Sequence, residues 1–331
     1  MADPLHVLVT GGAGFIGSHL VDLLLERPDR RVTVLDRLSR GGSLANLERH
    51  AGDPRLRFVR GDADDAGLVG PLVAGADAVV HAAAESHVDR SIDAPRAFLE
   101  ANVLATQTVL EACRAHDRRV LMVSTDEVYG PNGPGAPPFD EDAPLRPRSP
   151  YAASKAAADL LCQAYHATYG TPVTILRGTN AYGPRQIEKA VPTYAIAALE
   201  RRPVPVYGRG EQRREWLHVR DWVRAALLVL ERGAPGLVYN LGGGEEVSNL
   251  ELARRICALA GAPEDLVTFV PDRPGHDLRY GLSWERLRDL GWRPEIPLER
   301  GLAETVAWYR HHLDWLRAAH EGPVVTAPRG A

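Results

Sequence analysis

Residues 10–17 read Thr10-Gly11-Gly12-Ala13-Gly14-Phe15-Ile16-Gly17, and the architecture of the chain follows from them. They join an apolar run, 6–10, to a segment, 15–26, in which apolar residues recur at helical spacing. The sequence therefore predicts a strand, a tight turn and a helix. Gly11 permits the turn, Gly14 lets the backbone approach a pyrophosphate, and Gly17 lets the helix pack closely on the strand. The N–H groups of Phe15 and Ile16 would face the anion, which predicts a dinucleotide site.

The alternation of strand and helix continues along the chain. Further apolar runs predict strands at 31–36, 56–60, 76–81, 120–124 and 172–176. This indicates an α/β fold, a Rossmann-type doubly wound parallel sheet whose ligands bind at the carboxyl ends of the strands. We expect the Rossmann domain at 1–178 with a helix returning to it near 219–232, a smaller mixed α/β lobe at 179–316, and a disordered tail at 317–331.

Composition narrows the class of ligand. Of 331 residues, 45% are hydrophobic and 25% charged, and the formal net charge of −4 offers no basic surface to nucleic acid. Cys113, Cys162 and Cys257 lack metal-ligand spacing, so we expect reduced core thiols and no metal. No export signal or membrane-spanning run is recognisable. We therefore expect a cytoplasmic protein with a small-molecule ligand and no membrane partner.

The second predicted strand ends in an acidic residue that bears on the choice of dinucleotide. Asp36 lies 19 residues after Gly17, where its carboxylate would accept hydrogen bonds from an adenosine ribose. A carboxylate there repels a 2′-phosphate and favours NAD over NADP. The neighbouring Arg37 could instead pair with such a phosphate, or lie over the adenine. Asp62, after the third strand, is suited to the adenine amino group, although a solvated loop Asp would look the same.

Two pairs of residues near the middle of the chain indicate chemistry. Tyr151 and Lys155 share one face of a predicted helix, where the lysine would lower the pKa of the phenol and make it a base. Such pairs also arise by chance, but here a dinucleotide loop accompanies them. Asp126 and Glu127 follow the predicted strand at 120–124, and two carboxylates in different environments can divide acid and base roles. Hydride transfer does not need this second pair, whereas elimination of water does.

The whole set resembles the dTDP-glucose 4,6-dehydratase family, in the nucleotide-sugar branch of the extended short-chain dehydrogenase/reductase superfamily. The resemblance extends to about Trp315. It rests on Thr125-Asp126-Glu127 and on segments 83–91 (Ala-Ala-Glu-Ser-His-Val-Asp-Arg-Ser), 213–218 (Arg-Arg-Glu-Trp-Leu-His) and 272–280 (Asp-Arg-Pro-Gly-His-Asp-Leu-Arg-Tyr). It implies that the smaller lobe binds a nucleoside-diphosphate glucose, foremost dTDP-glucose. It also implies tightly bound NAD and a 4-keto-6-deoxy product.

The resemblance assigns a role to each catalytic candidate. Tyr151 would deprotonate the 4-hydroxyl, and Lys155 would hold Tyr151 and the nicotinamide ribose. Thr125 would hydrogen-bond the 4-hydroxyl. Glu127 would remove the carbon-5 proton and Asp126 would protonate the departing 6-hydroxyl, while hydride moves from carbon 4 to NAD and back to carbon 6.

The ligand contacts that the resemblance implies are extensive. For the cofactor they are Phe15, Ile16, Asp36, Arg37, Leu38, Ser39, Asp62, Ala63, Ala82, Ala83, Ala84, Glu85, Ser86, Ala101, Tyr151, Lys155 and Ala181, beside Gly11, Gly14 and Gly17. For the substrate they are Ser86, Thr125, Asn180, Lys189, Ala190, Pro205, Val206, Tyr207, Arg214, Asn249, Asp272, Arg273, Pro274, Gly275 and His276. The cations among them suit a diphosphate, although each could be an ordinary surface charge.

Segment 178–189 departs from the family pattern. Ala181 replaces a second Asn, Arg185 replaces an aromatic residue, and the segment is one residue shorter. These departures bear on the substrate, because the segment borders the diphosphate and sugar. A nucleotide-sugar 4-epimerase or decarboxylase, or a non-catalytic nucleotide-sugar or NAD sensor, stays an alternative. Thymidine and uridine also stay open, since one methyl group is worth only about 1–3 kcal/mol.

Two helical segments predict an interface. Segments 97–115 and 152–168 carry apolar and small residues on more than one face, which indicates a second burial surface. The resemblance implies that these helices pair into a four-helix interface, so we expect a homodimer. Helices of the same chain could cover these faces instead.

Overall fold

The computed structural model describes residues 5–39, 41–133 and 135–315. The strands are β1 (Leu5–Thr10), β2 (Arg30–Asp36), β3 (Leu56–Arg60), β4 (Ala78–His81), β5 (Arg119–Thr125), β6 (Val173–Gly178), β7 (Asn180–Tyr182), β8 (Val204–Tyr207), β9 (Arg213–His218), β10 (Val238–Leu241), β11 (Glu245–Ser248) and β12 (Val267–Val270). The α-helices are α1 (Phe15–Leu25), α2 (Ala66–Ala74), α3 (Val88–Asp93), α4 (Pro95–Leu99), α5 (Ala105–His116), α6 (Pro150–Tyr169), α7 (Ala190–Leu199), α8 (Val219–Arg232), α9 (Asn249–Ala260), α10 (Glu285–Asp289) and α11 (Leu298–His311).

A seven-stranded sheet organises the larger part of the chain. Its order is β10-β6-β5-β4-β1-β2-β3, and all its neighbouring pairs are parallel. The predicted Rossmann-type sheet is confirmed. The order reverses between β1 and β4, so the carboxyl ends of these strands flank the crevice in which doubly wound folds bind ligands.

Helices cover both faces of this sheet because its strands are apolar on both sides. In β1, Val7 and Val9 face a buried cluster that includes residues of α1 and α8, whereas Leu8 faces one that includes residues of α2, α5 and α6. Successive side chains of a strand point to opposite faces, so a continuous apolar run is what a doubly covered sheet requires.

The smaller lobe contains two short sheets. In the first, β9 pairs antiparallel with β11 and parallel with β7, and in the second β8 pairs parallel with β12. Helices α7, α9 and α11 enclose the third buried cluster against these strands. The predicted mixed α/β character is confirmed.

The chain crosses back to the large sheet after entering the lobe. The returning helix predicted near 219–232 is α8, which packs against α1. It leads to β10, a four-residue edge strand that the sequence pattern does not predict. We propose that the larger domain comprises residues up to 178 together with 219–241.

Two further expectations concern the helices and the tail. The predicted helix at 97–115 is α4 and α5 joined by a π-helical turn, Glu100–Leu104. The tail predicted at 317–331 lies outside the described residues. Among the residues that are described, no helix is long and apolar enough to cross a membrane.

Candidate active site

A cleft at the carboxyl ends of the large sheet collects most of the predicted cofactor contacts. Those that line it are Gly11, Gly14, Phe15, Ile16, Gly17, Asp36, Arg37, Ser39, Asp62, Ala63, Ala82, Ala83, Ala84, Glu85, Ser86, Ala101, Tyr151 and Lys155. Leu38 and Ala181 instead pack against the core cluster beneath the sheet. Their contact with a cofactor stays a prediction.

The glycine loop is shaped by close backbone approaches. Gly11 has φ +70°, and a Cβ on it would lie 2.6 Å from the backbone nitrogen of Ala83. A Cβ on Gly17 would lie 2.2 Å from the Gly11 carbonyl oxygen. Distances this short exclude a side chain at either position, so the loop can hold this shape only with glycine there.

Asp36 and Arg37 fit a dinucleotide without a 2′-phosphate. The Asp36 carboxylate accepts the N–H of Ala13 at 3.0 Å and that of Leu38 at 2.8 Å, so it is fixed to the glycine loop. The Arg37 guanidinium donates to Asp62 at 2.8 Å and to Glu85 at 2.6 Å. Because two carboxylates already engage Arg37, it is not a spare cation for a phosphate.

The Tyr/Lys pair stands at the start of α6. Ser149 caps this helix by accepting the N–H of Ala152 at 3.1 Å, and Pro150 occupies its first turn. Tyr151 and Lys155 therefore lie on successive turns of one face, and both are buried. Lys155 donates from Nζ to the Val123 carbonyl oxygen at 2.7 Å.

The electrostatics of this pair differ from the expectation. Burial lowers the pKa of Lys155 to about 8, while the charge of Asp159 opposes the fall. Burial raises the pKa of Tyr151 above its usual value, the charge of Glu127 adds to the rise, and a hydrogen bond with Thr125 opposes it. Burial therefore works against the predicted activation of Tyr151 by Lys155. That activation stays a prediction.

Thr125 begins the turn that carries the two carboxylates. It ends β5 in an extended conformation and caps a 3₁₀ turn, Asp126–Tyr129, by accepting the N–H of Glu127 at 3.3 Å. Its hydroxyl donates to the Asp126 carboxyl at 3.2 Å. The turn separates the two acids, because Asp126 is 2% exposed whereas Glu127 stays partly exposed.

The Asp126 carboxyl has the properties of a proton donor. Burial raises its pKa to about 7, the charge of Glu127 adds to the rise, and the Arg214 guanidinium opposes it. Two nearby residues were not predicted: Thr179, whose hydroxyl opposes the rise in the pKa of Asp126, and Glu215, whose own pKa burial raises to about 7. Glu215 stands in the quoted segment 213–218, but nothing in the sequence indicates that this strand reaches Asp126.

Several predicted substrate residues contact one another and Asp89 of α3. The Tyr207 hydroxyl donates to Asp89 at 3.0 Å, and its ring meets His276 edge to face. His276 is hydrogen-bonded to Asp272 at 2.6 Å, and Arg273 pairs with Asp89 at 3.3 Å. These contacts place an aromatic ring beside polar groups, as a nucleoside site requires.

Lys189 and Arg214 are held in different ways. Lys189 donates from Nζ to the Ser86 carbonyl oxygen at 2.5 Å and lies 5.7 Å from the centre of the Tyr151 ring. It reaches the catalytic end of the cleft. Arg214 is buried over the Tyr280 ring and donates to main-chain carbonyls, at 2.8 Å to those of Arg213 and Asp277. Its position is therefore fixed before any ligand binds.

The other predicted substrate residues lie at the edges of small-lobe elements. Their positions are the start of β7 (Asn180), the start of α7 (Ala190), β8 (Pro205 and Val206), the start of α9 (Asn249) and the loop after β12 (Pro274 and Gly275). Val206 is wholly buried, so its side chain packs in the lobe core. Their contact with a substrate stays a prediction.

Ser124, Gln186, Ile187 and Glu188 line the cleft without having been predicted as ligand contacts. The buried Ser124 hydroxyl has no partner among the described residues, so it is a polar group that a ligand could satisfy. In the sequence, the only feature that pointed to Ser124 was its position at the end of a predicted strand. The other three belong to the atypical segment, whose shape the sequence did not reveal.

The atypical segment is tied to α1. Arg185 donates to Asp22 at 2.7 Å, and His19 is hydrogen-bonded to the Pro184 carbonyl oxygen at 3.0 Å. Arg185 also has φ +69°, a backbone conformation that is uncommon outside glycine. The arginine that departs from the family pattern thus anchors the wall of the cleft to the glycine-loop helix.

The chain belongs to the NAD dependent epimerase/dehydratase family, whose model matches residues 7–242. Within it, the chain is similar to a dTDP-glucose 4,6-dehydratase of Actinoplanes sp., with 48% identity over 94% of this chain and 99% of that protein. The dTDP-glucose 4,6-dehydratase of Streptomyces venezuelae, solved with NAD and dTDP bound, has a TM-score of 0.92 and 48% identity over 95% of this chain and 100% of the other. A UDP-glucose 4-epimerase of Thermotoga maritima, solved with UDP-glucose, has a TM-score of 0.86 and 30% identity over 93% of this chain and 100% of that one.

Proposed function

We propose that this chain is an NAD-dependent dTDP-glucose 4,6-dehydratase. One observation carries the proposal: Asp126, a buried carboxyl whose pKa is raised to about 7, interacts with both Glu127 and the Tyr151 phenol. Such a carboxyl is protonated just below neutral pH and can protonate a leaving hydroxyl. The similarity to dehydratases of two organisms supports this reading.

Each catalytic residue has one task in this proposal. Tyr151 takes the proton of the 4-hydroxyl, which Thr125 orients, and Lys155 fixes the helix face beside β5. Glu127, partly exposed, removes the proton of carbon 5 and returns it to carbon 5 once hydride has reached carbon 6, and Asp126 gives its proton to the 6-hydroxyl, which leaves as water. When bound, NAD would supply the hydride chemistry: it would accept hydride from carbon 4 and return it to carbon 6.

The cleft fits NAD on two counts. The glycine loop admits a pyrophosphate only because side chains are excluded at Gly11 and Gly17. The Asp36 carboxylate, fixed by two N–H groups, suits a ribose diol and repels a 2′-phosphate. Arg37, Asp62, Glu85 and the other cofactor contacts are proposed on the same basis.

A 4-epimerase is the second candidate. It needs NAD, Tyr151 and Lys155, and the similarity to a UDP-glucose 4-epimerase favours it. It has no use for a protonated Asp126, and this residue separates the two functions. In a non-catalytic sensor, the proposed acid and base residues would have no proton to transfer.

Product analysis tests the proposal. Purified protein with bound NAD is incubated with dTDP-glucose and, separately, UDP-glucose, and products are identified by mass and NMR. We expect a product lighter by one water, a 4-keto-6-deoxy sugar, formed faster from dTDP-glucose. Conversion to the galactose isomer would establish the epimerase instead, and binding without turnover would establish the sensor.

We also propose a homodimer built on α5 and α6. Leu99 and Leu104, which precede α5, and Leu160 and Tyr169 of α6 are each at least half exposed, and α5 and α6 lie side by side in the described chain. Leu104→Glu with Leu160→Glu should convert a dimer to a monomer in sedimentation, whereas Leu44→Glu, equally exposed elsewhere, should not. A wild-type monomer would refute this interface.

A cytoplasmic location completes the proposal. Its support is that all three cysteines are buried and free, as in proteins of reducing compartments. Localisation of a tagged chain by fractionation tests it, and recovery outside the cytoplasm would contradict it.

A further inference from the structure

Five charged residues that line the cofactor cleft contact one another in a row of alternating sign. The Arg37 guanidinium lies 2.8 Å from the Asp62 carboxylate and 2.6 Å from one oxygen of the Glu85 carboxylate. Arg90 Nη2 lies 3.7 Å from the other oxygen of Glu85 and 3.0 Å from the Glu188 carboxylate. The row is therefore Asp62, Arg37, Glu85, Arg90 and Glu188, and we call it the rim network.

The rim network joins parts of the protein that are distant in sequence. Arg37 and Asp62 follow β2 and β3, Glu85 follows β4, and Arg90 belongs to α3. Glu188 comes from the atypical segment, beyond β7. The network therefore extends from β3, the edge strand of the large sheet, to the segment that enters the smaller lobe. Its contacts hold separate walls of one cleft together.

A neighbouring contact ties the same two walls at the lobe end of the cleft. Lys189, next to Glu188, donates from Nζ to the Ser86 carbonyl oxygen at 2.5 Å. Ser86 in turn follows Glu85. Residues 188–189 are therefore fastened to residues 85–86 twice, once directly to the main chain and once through Arg90.

The ion pairs of Arg90 are only partly withdrawn from water. The Arg90 side chain is 35% exposed, whereas those of Glu85 and Glu188 are 17% and 16% exposed. Charges at this depth attract each other more strongly than charges at the surface, because less solvent lies between them. The exposed part of Arg90 still admits counter-ions, so the pairs should weaken as ionic strength rises.

Arg90 also compensates negative charge in the wall of the cleft. A dinucleotide brings a pyrophosphate, which the N–H groups at the start of α1 favour and nearby carboxylates oppose. Arg90 lies between the carboxylates of Glu85 and Glu188, and both line the cleft. Loss of Arg90 should therefore loosen the two walls and also leave the cleft poorer by one positive charge.

We propose that Arg90 and Glu188 are positioning residues that hold the walls of the cofactor cleft together and thereby retain NAD between turnovers. The inference rests on the proposed function, in which hydride returns to the substrate and NAD ends each cycle as it began. An enzyme of this kind has no need to exchange its cofactor. A dehydrogenase that releases NADH must instead open such a cleft in every turnover, and a closed rim would slow it.

Exchange of the cofactor tests the proposal without any substrate. Protein that carries radiolabelled NAD is mixed with excess unlabelled NAD, and the label that stays bound is followed over time. We expect Arg90→Gln to release the label about three- to tenfold faster, the size expected for one or two partly exposed ion pairs. Arg96→Gln, which breaks an exposed pair with Glu100 beside α4, should release it at the wild-type rate. An unchanged rate in Arg90→Gln would overturn the proposal.

A double variant shows whether Arg90 and Glu188 act together. Glu188→Gln alone should also speed release of the label. In Arg90→Gln with Glu188→Gln, the increase should be smaller than the product of the two single increases, because the 3.0 Å contact can be lost only once. Single effects that multiply in full would contradict a joint role for the two residues.

Ionic strength provides a further test, which covers the case in which Arg90→Gln does not fold. In wild-type protein, release should become at least about threefold faster between about 0.05 M and about 0.5 M NaCl, because counter-ions weaken the rim network. Arg90→Gln should respond less. A wild-type rate that does not depend on salt would also overturn the inference. Failure of the proposed function is distinguishable, since wild-type protein would then retain NAD in a salt-dependent way and yet form no 4-keto-6-deoxy product.

Discussion

Arg177 and Asp159 form an ion pair beneath the Tyr/Lys helix, with 2.8 Å between Arg177 Nε and Asp159 Oδ2. Their side chains are 1% and 0% exposed, so both charges are withdrawn from water. Asp159 follows Lys155 by one turn of α6 and raises its pKa against the effect of burial. The pair connects the end of β6 to the catalytic helix.

Removing one partner of this pair should destabilise the protein strongly. Asp159→Asn leaves the Arg177 charge buried without its counter-ion, at a cost of about 3–5 kcal/mol in the free energy of unfolding. Urea unfolding measures the loss. Glu211→Gln, which breaks an exposed pair with Arg209, should change stability by less than about 1 kcal/mol. Equal effects of the two substitutions would show that the buried pair is not needed.

Gly17→Ala should weaken NAD binding, whereas Gly70→Ala should stabilise the folded protein. A Cβ on Gly17 would lie 2.2 Å from the Gly11 carbonyl oxygen, so α1 must shift and NAD binding should fall at least tenfold. A Cβ on Gly70, in α2, meets nothing within 4 Å, and alanine there should raise stability by about 0.5–1 kcal/mol. Calorimetry of NAD binding and thermal unfolding test both. NAD affinity unchanged in Gly17→Ala would contradict the role given to the loop.

The pair of Arg185 with Asp22 should act on substrate binding and leave the chemistry intact. Arg185→Gln frees the segment whose following residues line the cleft, so we expect KM for dTDP-glucose to rise about three- to tenfold with kcat little changed. Arg49→Gln, which removes another partner of Asp22 at 3.2 Å, is the matched control and should leave KM unchanged. A fall in kcat with constant KM in Arg185→Gln would be evidence against this role.

Protein stability should depend on pH through Asp126. Its folded-state pKa of about 7 lies above the unfolded value near 3.8, so the folded protein binds the proton more tightly. Its contribution is favourable below pH 4 and is lost as pH rises through 7, by ~4 kcal/mol in all. Asp126→Asn should therefore raise the melting temperature more at pH 8 than at pH 5. Asp289→Asn, at an exposed acid, should show no such difference, and a similar shift in both variants would refute the raised pKa.

Local sequence predicted the parts of this site that lie within single segments. The glycine loop, the helix face that carries Tyr151 and Lys155, and Thr125-Asp126-Glu127 each depend on a few consecutive residues, and they come together because parallel strands end at one edge of a sheet. The family resemblance then supplied roles for them, which spacing alone could not.

Features created by distant segments escaped prediction. β10 is four residues long and is a strand only because β6 pairs with it. Thr179 and Glu215 approach Asp126 because the lobe folds back on the sheet. Burial raises the pKa of Tyr151, and the sequence pattern shows the neighbouring lysine but does not show this burial.

A single turnover of Asp126→Asn tests the central claim most directly. The variant, with NAD bound, is mixed in excess with dTDP-glucose, and NADH absorbance and the sugar products are followed over time. Asparagine keeps the shape of Asp126 but cannot give up a proton. We therefore expect oxidation at carbon 4 with NADH accumulating, and formation of the 4-keto-6-deoxy product slowed at least a hundredfold. Formation of that product at the wild-type rate would contradict the assignment of Asp126 as the acid that expels water.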